Sequence, residues 1–170
     1  MTITNLVLGI DPGISGAIAV IDACDERVIE LINMPTEKAK TGRSQVDANA
    51  LSAFVGAVIQ RCAPCRAIVV VENVWPMPRD GSKQAFNLGD AKGVIRGVLS
   101  GHLVRSEFVA PITWKKHFHM LGTEKDYSRT LAKRRFPSVD LKFKKDHNKA
   151  DALLLAAFGI EKYFDYLKSA

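Results

Sequence analysis

Apolar and polar positions alternate in blocks along the first part of the chain. The apolar runs LVLGID, GAIAVID and RVIELINMP are separated by turn-forming residues, a pattern that predicts three strands in an antiparallel meander. The polar segment TEKAKTGRSQ follows them and predicts a mobile loop. The chain is therefore expected to begin with a small antiparallel sheet.

Helical and extended patterns alternate in the rest of the chain. The segment ANALSAFVGAVIQRC carries apolar residues at helical spacing, with Asp47 as its candidate N-cap. The β-branched run AIVVVENV is typical of a strand buried on both faces. A long helix rich in small residues is then predicted for QAFNLGDAKGVIRGVLSGH, a strand for LVRSEFVAP, short helices for ITWKKHFHML and EKDYSRTLAKRRF, and a strongly apolar final helix for KADALLLAAFGIEKYFDYLK.

Strands that alternate with helices favour an α/β fold with a sheet of mixed strand direction. The chain has 170 residues, of which 47% are hydrophobic, so residues 1–170 are expected to form a single domain with its own core. No apolar run approaches membrane-spanning length, and residues 1–11 lack the features of a secretory signal. A cytoplasmic location is therefore expected.

The three cysteines, Cys24, Cys62 and Cys65, are an odd number, which argues against a complete disulfide framework. Cys62 and Cys65 form a CxxC motif, but the sequence has no second CxxC or histidine pair to complete a zinc site. A structural role is expected for this motif.

The net charge of +6 fits either a polyanionic partner or a basic protein that is merely soluble. The distribution of the charge favours the first alternative, because the cations concentrate in the second half of the chain, where a surface that follows phosphates would need them. They are Lys115, Lys116, Lys125, Arg129, Lys133, Arg134, Arg135, Lys142, Lys144, Lys145 and Lys149.

Three acidic residues occupy positions that predict a metal site. Asp11 and Glu72 each end a very apolar predicted strand, and Asp151 lies at the start of the last helix. Ligand sites of open α/β sheets lie beyond the carboxyl ends of the strands, and clustered carboxylates suit Mg²⁺ or Mn²⁺. Each acid alone has an ordinary explanation: a turn-forming Asp, a strand-end acid facing water, or an acid favoured by the helix dipole. Their combination is much harder to explain by chance.

The blocks GIDPGISGAIAV, VVVENVW and KADALLLA, in this order, resemble the RuvC-type Holliday-junction resolvases of the ribonuclease H-like superfamily. QAFNLGDAKGVIRGVL is similar to the family's Gly-rich helix, and PITWKKHFHMLGTEKDYSR to its lysine-containing segment. The resemblance extends over residues 9–157. Departures from the cellular pattern favour a phage or plasmid source.

The resemblance implies a ribonuclease H-like fold: a mixed five-stranded sheet flanked by helices. It implies an endonuclease that resolves four-way or otherwise branched DNA by phosphodiester hydrolysis, with two Mg²⁺ ions per active site (Mn²⁺ substituting) and paired cuts made by a homodimer. Asp11, Glu72 and Asp151 fall on metal-binding catalytic positions, and Lys125 on a position next to the scissile phosphate. A branch-migration helicase partner stays an open question.

The resemblance implies a fourth metal ligand about one helical turn before Asp151. The residues there are Asp146, His147 and Asn148. Positions three and four before Asp151 share its helical face. Asn148 is a poor ligand for a metal ion, so His147 is the first choice. Asp146 is the second choice, since it reaches the site only if the helix begins late.

The resemblance also indicates residues that contact DNA. Trp75 stands where the family has an aromatic near the junction centre, and it either stacks on a distorted base or packs beneath its loop. The full set expected to contact DNA is Trp75, Lys83, Lys115, Lys116, Lys125 and Arg129.

Small residues mark the long central helix. Gly89, Gly93 and Gly97 recur every four residues at a cost in helix propensity, which predicts a close backbone approach. The resemblance implies that this helix lies at a homodimer interface. Phe86 is expected to contact the core or the second subunit.

Three alternatives stay open. The first is a related ribonuclease H-like nuclease that acts on hybrid or other branched substrates. The second is a catalytically silent junction-binding protein, suggested by Asn148. The third, an actin-like ATPase suggested by GIDPGISGA, would require a longer chain with two such domains.

Overall fold

A five-stranded mixed sheet forms the centre of the protein. The structure, a computed structural model, describes residues 5–62, 66–77, 81–124 and 126–168. The strands are β1 (Asn5–Asp11), β2 (Ala17–Asp22), β3 (Val28–Asn33), β6 (Arg66–Glu72) and β7 (Arg105–Val109), in the order β3-β2-β1-β6-β7. The first three are antiparallel neighbours, whereas β6 and β7 run parallel to β1. The predicted meander and mixed sheet are confirmed.

Helices cover both faces of the sheet. They are α1 (Ala48–Cys62), α2 (Ser82–Gly101), α3 (Pro111–His117), α4 (Tyr127–Arg135), α5 (His147–Lys162) and α6 (Phe164–Lys168). Helices α1 and α2 share one apolar cluster with the sheet, and α3, α4 and α5 share the other. Asp47 caps α1 as predicted: its Oδ1 accepts a hydrogen bond from the backbone N–H of Ala50 at 2.9 Å. None of the described helices combines the length and apolarity needed to span a membrane.

The two-residue period of β1 divides its side chains between these clusters. Leu6, Leu8 and Ile10 pack toward α1 and α2, and Val7 packs toward α5. Gly9 also faces α5, because a Cβ atom built on it would lie 2.0 Å from the carbonyl oxygen of Ala152 and 2.5 Å from the nitrogen of Ala156. The backbone of α5 therefore crosses β1 directly at Gly9.

The segment predicted as a mobile loop is instead a second, two-stranded sheet. Strands β4 (Thr36–Lys38) and β5 (Ser44–Val46) pair antiparallel. Lys38 Nζ donates to Ser44 Oγ at 2.8 Å, and the Arg43 guanidinium donates to Asn87 Oδ1 at 3.0 Å and pairs with Asp90 at 3.1 Å. The loop prediction was wrong because contacts with α2, which the local polarity does not reveal, hold the hairpin in place.

The last predicted helix differs from the structure at both ends. Helix α5 begins at His147, directly after a 3₁₀ turn at Lys144–Asp146, and ends at Lys162. Tyr163 separates it from α6, so the predicted continuous helix to residue 168 was wrong. The CxxC prediction cannot be placed, since Cys65 and the side chain of Cys62 lie outside the described part of the chain.

Candidate metal centre

Strand register makes Asp11 and Glu72 neighbours. The parallel pairing of β1 with β6 ends at Ile10 and Val71, and the two acids are the next residues on adjacent strands. Val7 and Val70 belong to the α5-side cluster, so the two-residue period turns both carboxylates to that same face. An acid at the end of each strand thus meets the other at one edge of the sheet.

Helix α5 carries the third acid to the same edge. The close contact between α5 and Gly9 places Ala152 over the C-terminal part of β1. Asp151 is the residue before Ala152 on this helix. Asp151 lies close enough to influence the protonation of both Asp11 and Glu72. Three carboxylates from three separate elements therefore share one electrostatic environment.

Burial raises the pKa of Asp11 well above its usual range, and the nearby Glu72 and Asp151 carboxylates raise it further, against an opposing contribution from Lys115. Glu72 is only 6% exposed, and burial likewise raises its pKa despite the opposing effects of Lys115 and of the Trp114 hydrogen bond. Clustered, buried carboxylates of this kind are destabilised in their ionised form when no cation is bound. A cation bound between them would relieve both the desolvation and the repulsion.

Glu72 has two further contacts, both through Oε1. The indole Nε1 of Trp114 donates to it at 3.0 Å, and Lys115 Nζ lies 4.0 Å away. Trp114 is fully buried, whereas the Lys115 side chain is 36% exposed. Both residues lie on α3, whose position next to β6 follows from the pairing of β7 with that strand.

Within the described ranges, no three His, Cys, Asp or Glu side chains are gathered closely enough to hold one ion. The acids are therefore near neighbours without forming a closed cage. Their chemistry still fits a hard divalent cation, since carboxylate oxygens are the ligands that Mg²⁺ and Mn²⁺ prefer. The burial that raises the pKa of Asp11 and Glu72 is the observation that supports a cation here.

Asp11 opens onto a cleft of about 870 Å³ that is also lined by Gly13, Lys83 and Asn148. Asn148 Nδ2 donates a hydrogen bond to the carbonyl oxygen of Ser15, in the turn after β1. Of the three candidates for the fourth ligand, Asn148 is the one that shares this cleft with Asp11.

The other two candidates lie elsewhere. His147 lines two neighbouring depressions, and its Nδ1 is 3.0 Å from the carbonyl oxygen of Lys144. Asp146 is buried, and its Oδ2 accepts the backbone N–H of Phe143 at 2.7 Å, which stabilises the 3₁₀ turn. These contacts follow from the start of α5 at His147, a boundary that the sequence did not define.

Trp75 lies in the segment after β6 and is 71% exposed, so it does not pack beneath its loop. Lys92 supports it from α2: its Nζ lies 4.5 Å from the centre of the indole ring and donates to Asn73 Oδ1 at 2.7 Å and to the Val74 carbonyl at 2.8 Å. Burial, and the nearby Arg96, lower the pKa of Lys92. The aromatic ring is thereby held outward on the side where β6 ends.

The predicted DNA-contacting cations are distributed unevenly. Lys83 and Lys116 are exposed, and Lys115 is near Glu72. Arg129 is mostly covered, with its guanidinium bonded to Asp126 and to the carbonyl oxygens of Leu141 and Lys142. These contacts favour a structural role for Arg129. Lys125 lies outside the described residues.

One face of α2 is turned away from the sheet. Ala91, Ile95 and Leu99 bury the opposite face of this helix. A Cβ atom added at Gly89, Gly93 or Gly97 would meet no atom of the described chain within 4 Å. Phe86 is 63% exposed with Arg43 over its ring, so the core alternative for Phe86 was wrong.

Sequence reasoning missed two contributors to this region. No role was assigned to Trp114 from the sequence, although its N–H donates a hydrogen bond to Glu72. Lys92 was not considered, although it holds the segment that carries Trp75. A signal for Trp114 was available, since a Trp that becomes buried needs a partner for its N–H and Trp114 comes five residues after the end of the strand that lies beside β6.

The sequence matches no protein-family model and no curated protein sequence. Solved structures with the same fold are found. Thermus thermophilus RuvC in complex with a Holliday junction substrate has a TM-score of 0.63 and 21% identity, with 97% of each chain covered. The T. thermophilus RuvC structure has a TM-score of 0.63 and 19% identity, with 92% of this chain and 96% of that chain covered. The yeast mitochondrial Holliday junction resolvase Ydc2 has a TM-score of 0.50 and 13% identity, with 98% and 84% covered. The RuvC-like, ribonuclease H-like fold that the resemblance implied is confirmed.

Proposed function

We propose that this chain is a RuvC-type, metal-dependent endonuclease that resolves four-way DNA junctions. One observation carries the proposal: Asp11, Glu72 and Asp151 come from three distant parts of the chain and share one electrostatic environment at the carboxyl ends of β1 and β6. The fold is that of RuvC, which has been solved bound to a Holliday junction substrate. Exposed Trp75 and Lys83, on the same side of the sheet ends, fit a DNA partner.

In this mechanism, Asp11, Glu72 and Asp151 would hold and orient two Mg²⁺ ions, for which Mn²⁺ could substitute. Ions held there would supply an acidified water nucleophile and positive charge for the leaving oxygen. Lys115, whose Nζ is 4.0 Å from Glu72, adds positive charge next to the carboxylates. We assign Lys125 to contact with the scissile phosphate, on the basis of the sequence resemblance alone.

We also propose that the enzyme acts as a homodimer through the outer face of α2. Gly89, Gly93 and Gly97 leave room for another backbone, and exposed Phe86 extends this face. Two active sites related by a twofold axis would cut two strands of a four-way junction symmetrically. The glycines, which weaken α2 as an isolated helix, would be compensated by that contact.

The test of the function is a cleavage assay that compares a four-way junction, a replication-fork structure and an RNA–DNA hybrid in Mg²⁺ and in Mn²⁺. The proposal expects metal-dependent cutting of the junction in preference to the other two, with paired nicks in opposite strands. Preferred cutting of the hybrid would instead support a different ribonuclease H-like nuclease. Tight junction binding without any cutting in either metal would support the silent junction-binding protein.

We propose that Asn148, rather than His147, occupies the position of the fourth metal ligand, because Asn148 shares the cleft with Asp11. Asn148→Asp is expected to tighten Mg²⁺ binding about 10-fold, since the charge count of the ligands tunes affinity for hard cations. Calorimetric titration of DNA-free protein measures this change. His147→Ala is the matched comparison. A large loss of Mg²⁺ affinity in His147→Ala, with no gain in Asn148→Asp, would indicate that His147 is the fourth metal ligand.

A further inference from the structure

The side chain of Trp114 combines complete burial with a single polar contact at the proposed metal centre. Its indole is 0% exposed and lies in the apolar cluster between the sheet and α5. Its N–H donates to Glu72 Oε1 at 3.0 Å. A buried indole N–H that lost its partner would be left unsatisfied at a cost in free energy, so the bond constrains both residues.

Local structure explains why this bond forms. Glu72 is the last residue of β6 and lies opposite Val109, the last residue of β7. The backbone N–H of Asn73 donates to the Val109 carbonyl at 2.7 Å, which holds the two strand ends together. Pro111 then starts α3 at its first turn, and Trp114 is one turn further on, turned inward. The indole is thus anchored by the sheet and by the core, independently of the cleft.

The geometry also distinguishes the two oxygens of Glu72. Trp114 Nε1 and Lys115 Nζ both approach Oε1, at 3.0 Å and 4.0 Å. A cation that used Oε2 would displace neither of these contacts. The Trp114 bond therefore fixes the rotation of the carboxylate about its terminal torsion, which is otherwise soft.

We propose that Trp114 is a positioning residue for the metal centre: its indole N–H holds Oε1 of Glu72 and presents Oε2 to the divalent cation. This inference rests on the proposed function, since it assumes that Glu72 binds a metal ion. Removing a group that orients a metal ligand through a hydrogen bond typically lowers metal affinity or activity about 10–100-fold. Trp114 has this relation to Glu72 while touching neither substrate nor cation.

The experiment measures Mn²⁺ binding to DNA-free protein by electron paramagnetic resonance, in wild type, Trp114→Phe, Glu72→Gln and the double variant. Trp114→Phe keeps a large ring and removes only the N–H, and is expected to weaken Mn²⁺ affinity about 10-fold. In the Glu72→Gln background the same change is expected to have less than about a twofold effect, because the two residues act through one contact. Trp75→Phe, which changes the other tryptophan, is the matched control for metal binding, since the Trp75 ring is exposed and lies against Lys92.

The outcomes separate this inference from the proposed function. A wild-type protein that binds no Mn²⁺ would overturn the metal centre itself. Mn²⁺ binding that depends on Glu72 but is unchanged in folded Trp114→Phe would overturn only the role of Trp114, as would equal losses in both backgrounds, which indicate a general packing effect.

A second measurement needs no Trp114 variant. The indole N–H resonance of Trp114, distinguished from that of Trp75 by its persistence in Trp75→Phe, is expected to shift when Mg²⁺ is added to the wild type. It should not shift in Glu72→Gln. If Trp114→Phe fails to fold, this spectrum is the test of the inference. A Trp114 indole resonance that does not shift when Mg²⁺ binds would contradict it.

Discussion

Asp11→Asn is expected to abolish metal-dependent cleavage while raising the thermal stability of the metal-free protein. The loss of cleavage should be about 1000-fold or more, because an amide at the centre of the cluster removes a charge that both binds and orients the cation. The gain in stability follows from the same charge. Burial and the proximity of Glu72 and Asp151 disfavour the Asp11 carboxylate in the folded protein.

The direction of the pH dependence follows from the raised pKa of Asp11. A group whose pKa is raised by folding contributes stability that is fully present below its unfolded pKa and is lost as the pH rises through the folded value. Wild-type protein in chelator should therefore lose stability over that range. Asparagine has no proton to lose and gains no charge at any of these pH values, so the variant should show a smaller loss of stability.

Melting temperatures in chelator at about pH 4 and about pH 8 test this prediction, with the variant expected to gain roughly 3 °C or more only at the higher pH. Mg²⁺ should then stabilise the wild type and leave the variant unchanged. Asp22→Asn is the matched control, since Asp22 is a buried strand-end acid whose Oδ1 accepts the Cys24 N–H at 3.0 Å. It should retain cleavage. An Asp11→Asn protein that melts lower than wild type at both pH values would contradict the electrostatic account.

Gly9→Ala is expected to destabilise the protein by about 3 kcal/mol, near the upper end of overpacking effects. The new methyl group would lie 2.0 Å from the Ala152 carbonyl oxygen and 2.5 Å from the Ala156 nitrogen. Both atoms are backbone, so α5 as a whole has to move. Because α5 carries Asp151, cleavage should also fall at temperatures where the variant is still folded.

Denaturant unfolding together with cleavage rates measures both effects. Gly101→Ala at the end of α2 is the matched control, since its added methyl group would meet no described atom within 4 Å, and no loss is expected. Ala152→Gly should fail to rescue Gly9→Ala, because it removes a side chain and leaves the clashing carbonyl in place. Rescue by Ala152→Gly would mean that side chains, and not the helix backbone, set the distance between α5 and β1.

The positions of the acids could be predicted from sequence because they follow from local patterns. An apolar strand that ends on an acid has a known side-chain period, and the parallel strands β1 and β6 end at one edge of the sheet. Asp151 was proposed from its position at the start of the last apolar helix, and the resemblance to resolvases supported it, because no local pattern describes how that helix docks.

Other features depend on tertiary contacts and were therefore not predictable in this way. The hairpin at Thr36–Val46 depends on Arg43 reaching α2. The orientation of Asn148 and His147 depends on the single residue at which α5 begins. The bond from Trp114 to Glu72 depends on the alignment of two strand ends. In each case the chain has to fold before the relevant side chains become neighbours.

The crossing of α5 over Gly9 has a consequence for how the protein is made. The first strand of the described chain and one of its last helices form the same packed interface, and the acids that they carry belong to the same proposed metal centre. Contacts between such distant segments require closure of a very long loop, which slows folding and makes contact order high. During synthesis, β1 leaves the ribosome long before α5 exists. A nascent chain therefore carries Asp11 and Glu72 without Asp151, so the proposed metal centre cannot be completed until α5 has been synthesised and docked.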